Sequence, residues 1–231
     1  MNTTKIGKYT ITYNNSKEFH TLKSEIFGEE CYNIKLEKDI PYILDIGAYI
    51  GMSTIYFKSI YPNSKILAVE PNPKARELLE ENVFLNNLTD VEVRPYAIDI
   101  TKGEREIFYD NSDINWQSTA GFKKNSWNGE YVNNDSIQVK TIPLSKLLDT
   151  EVDLLKLDIE GMEGKVLKEA SESLSNVKNI IVEYHPMRGN DINKISSILK
   201  AKGFSISFFE DGKGVSNPNT KKLQIIKATR K

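Results

Sequence analysis

Short apolar segments alternate along the chain with amphipathic ones, and turn-forming residues separate them. The apolar segments have the length of buried strands and lie at 42–46, 65–70, 91–98, 153–160 and 178–185. Apolar residues at helical spacing follow four of these segments, at 52–59, 73–82, 162–173 and 190–202. The alternation predicts an α/β fold with a mostly parallel seven-stranded sheet and helices on both faces. Two further strand-like segments, 204–209 and 222–228, predict a C-terminal antiparallel hairpin.

Two segments fall outside this alternation. Residues 1–41 come before the first core strand, and we interpret them as a lead-in whose short helix, around 17–32, lies across a cleft. Residues 42–231 then form the main domain. Within it, the stretch at about 110–136 is long, polar and dotted with glycine. Such a stretch inside a compact domain is usually a functional loop or is disordered.

Composition narrows the class of protein. The chain has 231 residues, 39% of them hydrophobic, and a net charge of −1, which describes an ordinary globular protein and weighs against a nucleic-acid partner. Its one cysteine, Cys31, excludes an intramolecular disulfide. No apolar run has the length of a membrane span, and the first residues lack a signal-peptide core. These features predict a cytoplasmic protein.

The first core strand runs into a glycine turn with the pattern D-x-G-x-x-x-G, from Asp45 through Gly47 to Gly51. A strand that turns through glycines into a helix presents backbone N–H groups and a positive helix end to a ligand. Glycine also allows a close backbone approach that a Cβ would block. The turn therefore predicts a site for a nucleotide-like cofactor. Its spacing differs from the G-x-G-x-x-G of nicotinamide-dependent oxidoreductases.

Glu70 ends the second core strand, 19 residues after Gly51. An acid at this place can accept hydrogen bonds from the two hydroxyls of a ribose. The alternative is a surface acid whose charge suits the start of the next helix. The glycine turn upstream favours the ribose-binding role.

Charged residues lie within the two predicted strands at 153–160 and 178–185. Alternation places Lys156, Asp158 and Glu160 on one face of the first strand, with Glu183 and His185 at the end of the second. Because burying unpaired charge is costly, we expect these groups to meet beside the glycine turn. A structural ion-pair network, such as Lys156 with Glu183, is the alternative. We interpret Glu163 as a first-turn helix residue that interacts with the helix dipole.

Together these segments resemble the FkbM family of S-adenosylmethionine-dependent methyltransferases. The matching pieces are LDIGAYIGMST, AVEPNP, ENVFLNN, AID at 97–99, LLKLDIEGMEGKVL and IVEYH, in the family's order over roughly 42–185. The resemblance implies a Rossmann-like class I methyltransferase fold. It also implies methyl transfer to oxygen, often a hydroxyl on a sugar, a glycan or a natural product.

The resemblance also implies the residues that hold the cofactor. They are Asp45, Gly47, Tyr49, Gly51, Glu70, Asn72, Ala97 and Asp158. Asp45 would anchor the glycine turn and face the cofactor's amino group, Glu70 would bind the ribose, and Ala97 would line the adenine slot. The segment Arg94-Pro95-Tyr96 departs from the family, because a small polar residue is expected before Ala97.

Transfer to a hydroxyl needs a group that takes its proton. A positioned base typically contributes about 10² to 10⁴ in rate. The candidates are His185 first, since imidazole titrates near neutrality, and then Asp158 or Glu160. Alternatively, a divalent cation held by Asp158, Glu160 and Glu183 would lower the pKa of the hydroxyl.

The acceptor site is expected in the 111–135 loop and the N-terminal segment. Trp116 and Trp127 could stack on a sugar face, with Ser118 matching its hydroxyls. The alternative is that the tryptophans pack the loop onto the domain. Two rival functions remain: a base-modifying nucleic-acid methyltransferase, whose N-P-P-Y type motif is replaced here by LDIEG, and a non-catalytic binding module.

Overall fold

The computed structural model describes residues 1–110, 118–124 and 135–230. The strands are β1 (Asn2–Ile6), β2 (Tyr9–Tyr13), β3 (Tyr42–Ile46), β4 (Lys65–Val69), β5 (Val91–Arg94), β6 (Tyr96–Asp99), β7 (Gly103–Tyr109), β8 (Asp135–Pro143), β9 (Val152–Leu157), β10 (Val177–Tyr184), β11 (Phe204–Glu210), β12 (Lys213–Val215) and β13 (Gln224–Arg230). The α-helices are α1 (Ser16–Lys23), α2 (Met52–Ile60), α3 (Pro73–Leu85), α4 (Glu163–Glu169) and α5 (Ile192–Ala201). A π-helical turn, Ser24–Gly28, extends α1, and 3₁₀ turns lie at Leu144–Leu147 and Ser173–Asn176.

The main sheet confirms the predicted α/β architecture. Its order is β12-β11-β13-β10-β9-β3-β4-β5, and the five strands from β10 to β5 are parallel. The predicted C-terminal hairpin is also confirmed, since β11 and β13 pair antiparallel and β13 joins the sheet antiparallel to β10. The sheet has eight strands rather than seven, because the chain turns after β11 and adds β12 at the edge.

The prediction of one strand over 91–98 is wrong. Pro95 lies between β5 and β6, and its missing N–H cannot continue a sheet ladder. After the break, β5 remains in the main sheet, whereas β6 pairs with β8 in a separate three-stranded sheet that also contains β7. This small sheet carries Ala97 to one side of the cavity described below.

The main sheet is covered on both faces, as predicted. Alternate residues of the central strands enter different apolar clusters: Ile43 and Leu154 pack with the N-terminal segment and α2, whereas Leu44 and Leu155 pack with α4 and α5. Both central strands are therefore apolar on their two faces, as expected for a buried parallel sheet. The charged residues of β9 are Asp153 and Lys156, and both are buried, with Lys156 2% exposed.

The lead-in is more ordered than the sequence indicated. It begins with an antiparallel β1–β2 hairpin. Asn82 of α3 fastens this hairpin, because its amide donates to the Thr12 carbonyl and accepts from the Thr12 N–H. The same amide donates to the carbonyl of Ile50 in the glycine turn. Among the described residues, no helix has the length and apolar character needed to cross a membrane.

Candidate active site

A cavity of about 380 Å³ lies at the carboxyl end of the central parallel strands. This is the size of a small-molecule site and the expected place for one in an open α/β sheet. Most of the predicted site residues line it: Gly47, Tyr49, Glu70, Asn72, Ala97, Ser118, Asp158, Glu160, Glu183 and His185. Asp45 and Gly51 do not line it, and Trp116 and Trp127 lie outside the described residues.

The glycines of the turn allow close contact with neighbouring parts of the protein. Gly47 has φ +75°, and a Cβ there would lie 1.8 Å from the carbonyl oxygen of Asp158. Gly51 has φ +89°, and a Cβ there would lie 2.7 Å from the Leu79 side chain on α3. The contacts of the two glycines are thus between the turn and its neighbours in the protein, and the predicted close approach to a cofactor stays a prediction. The contact at Gly47 brings the end of β9 against the turn.

Asp45 contacts the glycine turn from the protein interior, away from the cavity. It is fully buried, and one carboxylate oxygen accepts hydrogen bonds from the hydroxyls of Ser53 and Thr54. Its other oxygen lies 3.5 Å from Nζ of Lys156, which also donates to the carbonyl of Gly47. Asp45 anchors the turn as expected, but its position does not allow it to face an amino group in the cavity.

Glu70 lies at the cavity wall with both oxygens oriented by backbone. The N–H of Tyr49 donates to one oxygen at 2.9 Å, and the N–H of Asn72 donates to the other at 2.8 Å. Burial raises the pKa of Glu70 to about 7, although these two N–H groups oppose the rise. Asn72 itself caps α3, because its side-chain oxygen accepts from the N–H of Lys74.

The other side of the cavity is apolar near Ala97. Its neighbours in the wall are Tyr96, Ile98, Ile107 and Phe122. Apolar side chains and a carboxylate in one cavity suit a purine base attached to a ribose. The fit to adenosine thus rests on Glu70 and on the apolar residues around Ala97, which line the same cavity.

Residues after β9 turn sharply toward the cavity. The strand ends at Leu157, so Asp158 and Glu160 do not belong to it, and the prediction of a strand over 153–160 is too long. Glu160 has φ +52° and is followed by Gly161 at φ +88°. The turn, rather than strand alternation, brings Glu160 to the same side as Asp158 and His185.

His185 is buried at the centre of a group of carboxylates. Its Nε2 lies 3.7 Å from Oδ1 of Asp158 and 3.7 Å from Oε1 of Glu160. Burial alone would lower the pKa of His185, but the surrounding carboxylates outweigh burial and raise this pKa well above its usual value. Burial likewise raises the pKa of Glu160 to about 8 and that of Glu183 to about 7.

Glu163 is the residue that sequence reasoning missed. It lies in the first turn of α4 as predicted, but it is fully buried, and its Oε1 lies 2.8 Å from Nδ1 of His185. Its Oε2 accepts from the side-chain amide of Asn190, which also donates to the carbonyl of His185. Because a carboxylate is only an acceptor, Glu163 holds a proton on Nδ1 and directs Nε2 to the cavity. No local pattern marks Asn190.

Three partly buried hydrogen bonds join the N-terminal segment to the cavity. Glu18 is 2% exposed and accepts from the hydroxyl of Tyr49 and from the N–H of Ser118. Tyr32, also in the lead-in, donates its hydroxyl to Oε2 of Glu183. These contacts make the N-terminal segment part of the cavity wall.

This fold recurs in solved structures. A methyltransferase FkbM from Methylobacillus flagellatus KT superposes with a TM-score of 0.55 at 14% identity, over 84% of this chain and 45% of that chain. The likeness shows the fold, which is that of the class I S-adenosylmethionine-dependent methyltransferases.

Sequence comparison defines the family. Residues 45–206, more than two thirds of the chain, match the methyltransferase FkbM domain, and the chain belongs to this family. The methyltransferase 1 of Beauveria bassiana (strain ARSEF 2860) is 30% identical in an alignment 206 residues long that covers 82% of this chain and 82% of that protein. The 2-O-methyltransferase NoeI of Sinorhizobium fredii (strain NBRC 101917 / NGR234) is 28% identical in an alignment 160 residues long that covers 64% of this chain and 65% of that protein. The chain is therefore an S-adenosylmethionine-dependent methyltransferase.

Proposed function

We propose that this methyltransferase transfers the methyl group to a hydroxyl oxygen of a sugar, a glycan or another natural product. The observation that carries the proposal is one cavity with Glu70 in its wall and with Asp158, Glu160 and His185 beside the glycine turn. The relative NoeI is named as a 2-O-methyltransferase, which also supports an oxygen acceptor.

The residues of the cavity fit the cofactor. Glu70 would accept hydrogen bonds from the ribose, the wall around Ala97 would take the adenine, and Gly47 and Tyr49 would border the methionine part. When bound, S-adenosylmethionine supplies an electrophilic methyl group, and its sulfur keeps the electron pair of the broken C–S bond. Holding the acceptor oxygen in line with that methyl is worth about 7–11 kcal/mol in favourable cases.

The proton of the hydroxyl passes to the group formed by Asp158, Glu160 and His185. The oxygen then keeps the electron pair that forms the new C–O bond. Nε2 of His185 lies 3.7 Å from a carboxylate oxygen of Asp158 and 3.7 Å from one of Glu160, so the imidazole joins the two carboxylates into one group. Lys156 keeps this group against the glycine turn, since its Nζ donates to both Gly47 and Asp158.

The charge of the cavity wall limits the acceptor. Seven carboxylic residues line the described part of the cavity, against one lysine and one histidine: Glu25, Glu29, Glu70, Asp158, Glu160, Glu183 and Asp211. Such a field disfavours an anionic molecule. The acceptor is accordingly neutral or cationic around its reacting hydroxyl. Glu25, Glu29 and Tyr32 belong to the lead-in, which forms this part of the acceptor wall.

The first experiment incubates the protein with labelled S-adenosylmethionine and a panel of hydroxyl acceptors, matched with and without phosphate or carboxylate groups. We expect transfer to an oxygen of neutral or cationic members, located by mass spectrometry and NMR. Transfer only to nitrogen or carbon, or only to the anionic members, would contradict the proposal.

The second experiment replaces the proton-accepting group. With an acceptor from the panel, Glu160→Gln, Asp158→Asn and His185→Gln are each expected to lower kcat by about 10² to 10⁴, because the hydroxyl keeps its proton in the transition state. Glu169→Gln is the matched control, since Glu169 is a carboxylate of α4 that binds Ser145 away from the cavity. Wild-type kcat in all three variants, with the control unchanged, would remove this group from catalysis.

Cofactor affinity is expected to depend on pH through Glu70. The pKa of Glu70 is raised to about 7, so the free carboxyl is protonated below that pH and offers fewer acceptor sites to a ribose. Binding of S-adenosylmethionine should tighten as pH rises through about 7 and level off above it. In Glu70→Gln this Glu70-dependent step should vanish, and affinity at pH 8 should fall about tenfold or more, since hydrogen bonds to charged groups contribute about 1.5–3 kcal/mol. Calorimetry measures the affinity of wild type and Glu70→Gln from pH 6 to 8. Any effect of protonating the cofactor itself appears in both proteins, so the difference between their pH profiles reports Glu70.

Identical pH profiles would show that Glu70 does not contact the ribose.

A further inference from the structure

Three potential metal ligands from two neighbouring strand ends converge in the cavity. One donor atom from each of Asp158, Glu183 and His185 lies within 4.8 Å of the other two. Asp158 follows β9, Glu183 belongs to the end of β10 and His185 follows β10, so the parallel pairing of these strands brings the three residues together. We propose that these three residues bind a divalent first-row transition-metal ion.

Each of the three proposed ligands is oriented by a second side chain, its outer partner, which contacts it without belonging to the donor set. Glu163 lies against Nδ1 of His185, and this leaves Nε2, the atom that faces Asp158, to the cavity. Tyr32 donates to Oε2 of Glu183, and Lys156 donates to Oδ2 of Asp158. Metal-binding histidines almost always donate their other N–H to a carboxylate or carbonyl, and metal-binding carboxylates are themselves hydrogen-bonded. If His185 only formed an ion pair, the two carboxylates beside it would not each need a further hydrogen-bond partner.

The spacing and chemistry of the donors indicate the kind of ion. Neighbouring ligands of an octahedral ion with bonds of about 2.1 Å stand about 3.0 Å apart, so Nε2 of His185 and Oδ1 of Asp158, which are 3.7 Å apart, need to close by about 0.7 Å. One imidazole and two carboxylates suit Mn²⁺, Fe²⁺ or Zn²⁺ better than Mg²⁺, which prefers oxygen. Three protein ligands also leave positions for water or for a hydroxyl of the acceptor.

The local charge favours a dication as well. Five carboxylic residues contact the cationic groups of Lys156 and His185 here or act on them electrostatically: Asp45, Asp158, Glu160, Glu163 and Glu183. Like charges within a few ångströms repel strongly where burial excludes water. An ion at the common point of the three donors would be attracted to all of them.

The sequence had suggested Asp158, Glu160 and Glu183 as the cation ligands. The structure selects His185 in place of Glu160, since the described donor set contains the imidazole and leaves Glu160 beside it. The catalytic role of the ion rests on the proposed function, because an ion-bound hydroxyl loses its proton more readily. With the ion bound by Asp158 and His185, Glu160 is the member of the proton-accepting group that would take this proton. Binding of the ion itself does not depend on that function.

The test measures Mn²⁺ binding to the full chain by electron paramagnetic resonance, in which free Mn²⁺ loses its signal on binding. We expect one site per chain, and at least a tenfold loss of affinity in Asp158→Asn, Glu183→Gln and His185→Gln. Tyr32→Phe and Glu163→Gln keep all three ligands and should weaken binding by about 10- to 100-fold, the usual effect of outer partners. Circular dichroism checks that each variant is folded.

Asp211→Asn provides the matched control, because Asp211 is a cavity carboxylate outside the donor set. It should leave Mn²⁺ affinity within twofold. Absence of Mn²⁺ binding, or equal affinity in wild type and a folded His185→Gln, would overturn the metal site. Methyl transfer that survives complete chelation would overturn the ion's catalytic role and leave the transferase proposal standing. Transfer lost on chelation and restored by Mn²⁺ would support both.

Discussion

Lys156→Met is expected to destabilise the protein by about 3–5 kcal/mol, the usual cost of removing one partner of a buried ion pair. Lys156 is 2% exposed, and its Nζ contacts the carboxylates of Asp45 and Asp158 and the carbonyl of Gly47. Burial alone would lower the pKa of Lys156, but the charges of Asp158 and Asp45 outweigh burial and raise it. The lysine is therefore charged at all ordinary pH values, and methionine would leave Asp45 buried without its counter-ion.

Urea unfolding measures this effect as the change in the free energy of unfolding. Lys202→Met is the control, because Lys202 pairs with the exposed Glu172 and such surface pairs contribute about 0–1 kcal/mol. The double variant Lys156→Met with Asp45→Asn should recover part of the loss, since it removes the orphaned charge. A Lys156→Met protein within 1 kcal/mol of wild type would mean that this lysine does not hold the glycine turn.

Gly47→Ala is expected to be the most damaging single change in the glycine turn. At φ +75° a non-glycine residue costs about 1–2 kcal/mol from backbone strain alone. The new Cβ would also lie 1.8 Å from the carbonyl oxygen of Asp158, so either the turn or the end of β9 must move. We expect a total loss above about 3 kcal/mol, together with loss of S-adenosylmethionine binding.

Gly203→Ala separates the cost of backbone strain from the cost of the clash with Asp158. Gly203 has a similar φ of +86°, but a Cβ there meets nothing within 4 Å. This control should therefore show the strain alone and keep cofactor binding. Thermal unfolding and calorimetry on both variants make the comparison. Equal losses in the two proteins would show that the turn and the end of β9 are not in tight contact.

The local pattern of apolar and polar residues was sufficient to predict the parts of the fold that depend on residues close together in the chain. The alternation of strands and helices, the parallel centre and the C-terminal hairpin all follow from periodicity and turn residues. The pattern was insufficient at Pro95, where a proline ended one strand and sent the next into another sheet. It also missed β1 and the edge strand β12, whose residues are largely exposed and carry little apolar signal.

The residues of the candidate site also fall into two groups, those that the sequence predicted and those that only the structure revealed. The sequence by itself determined the glycine turn, Glu70 at the end of β4 and the acids after β9, because each follows from its place next to a strand end. Only the tertiary structure decided that Glu163 orients His185, that Tyr32 reaches Glu183 from 151 residues away, and that Asp45 lies beneath the turn. Spacing along a strand or helix predicts which face a side chain takes, but the partner it meets depends on how distant segments pack, and no local pattern encodes that packing.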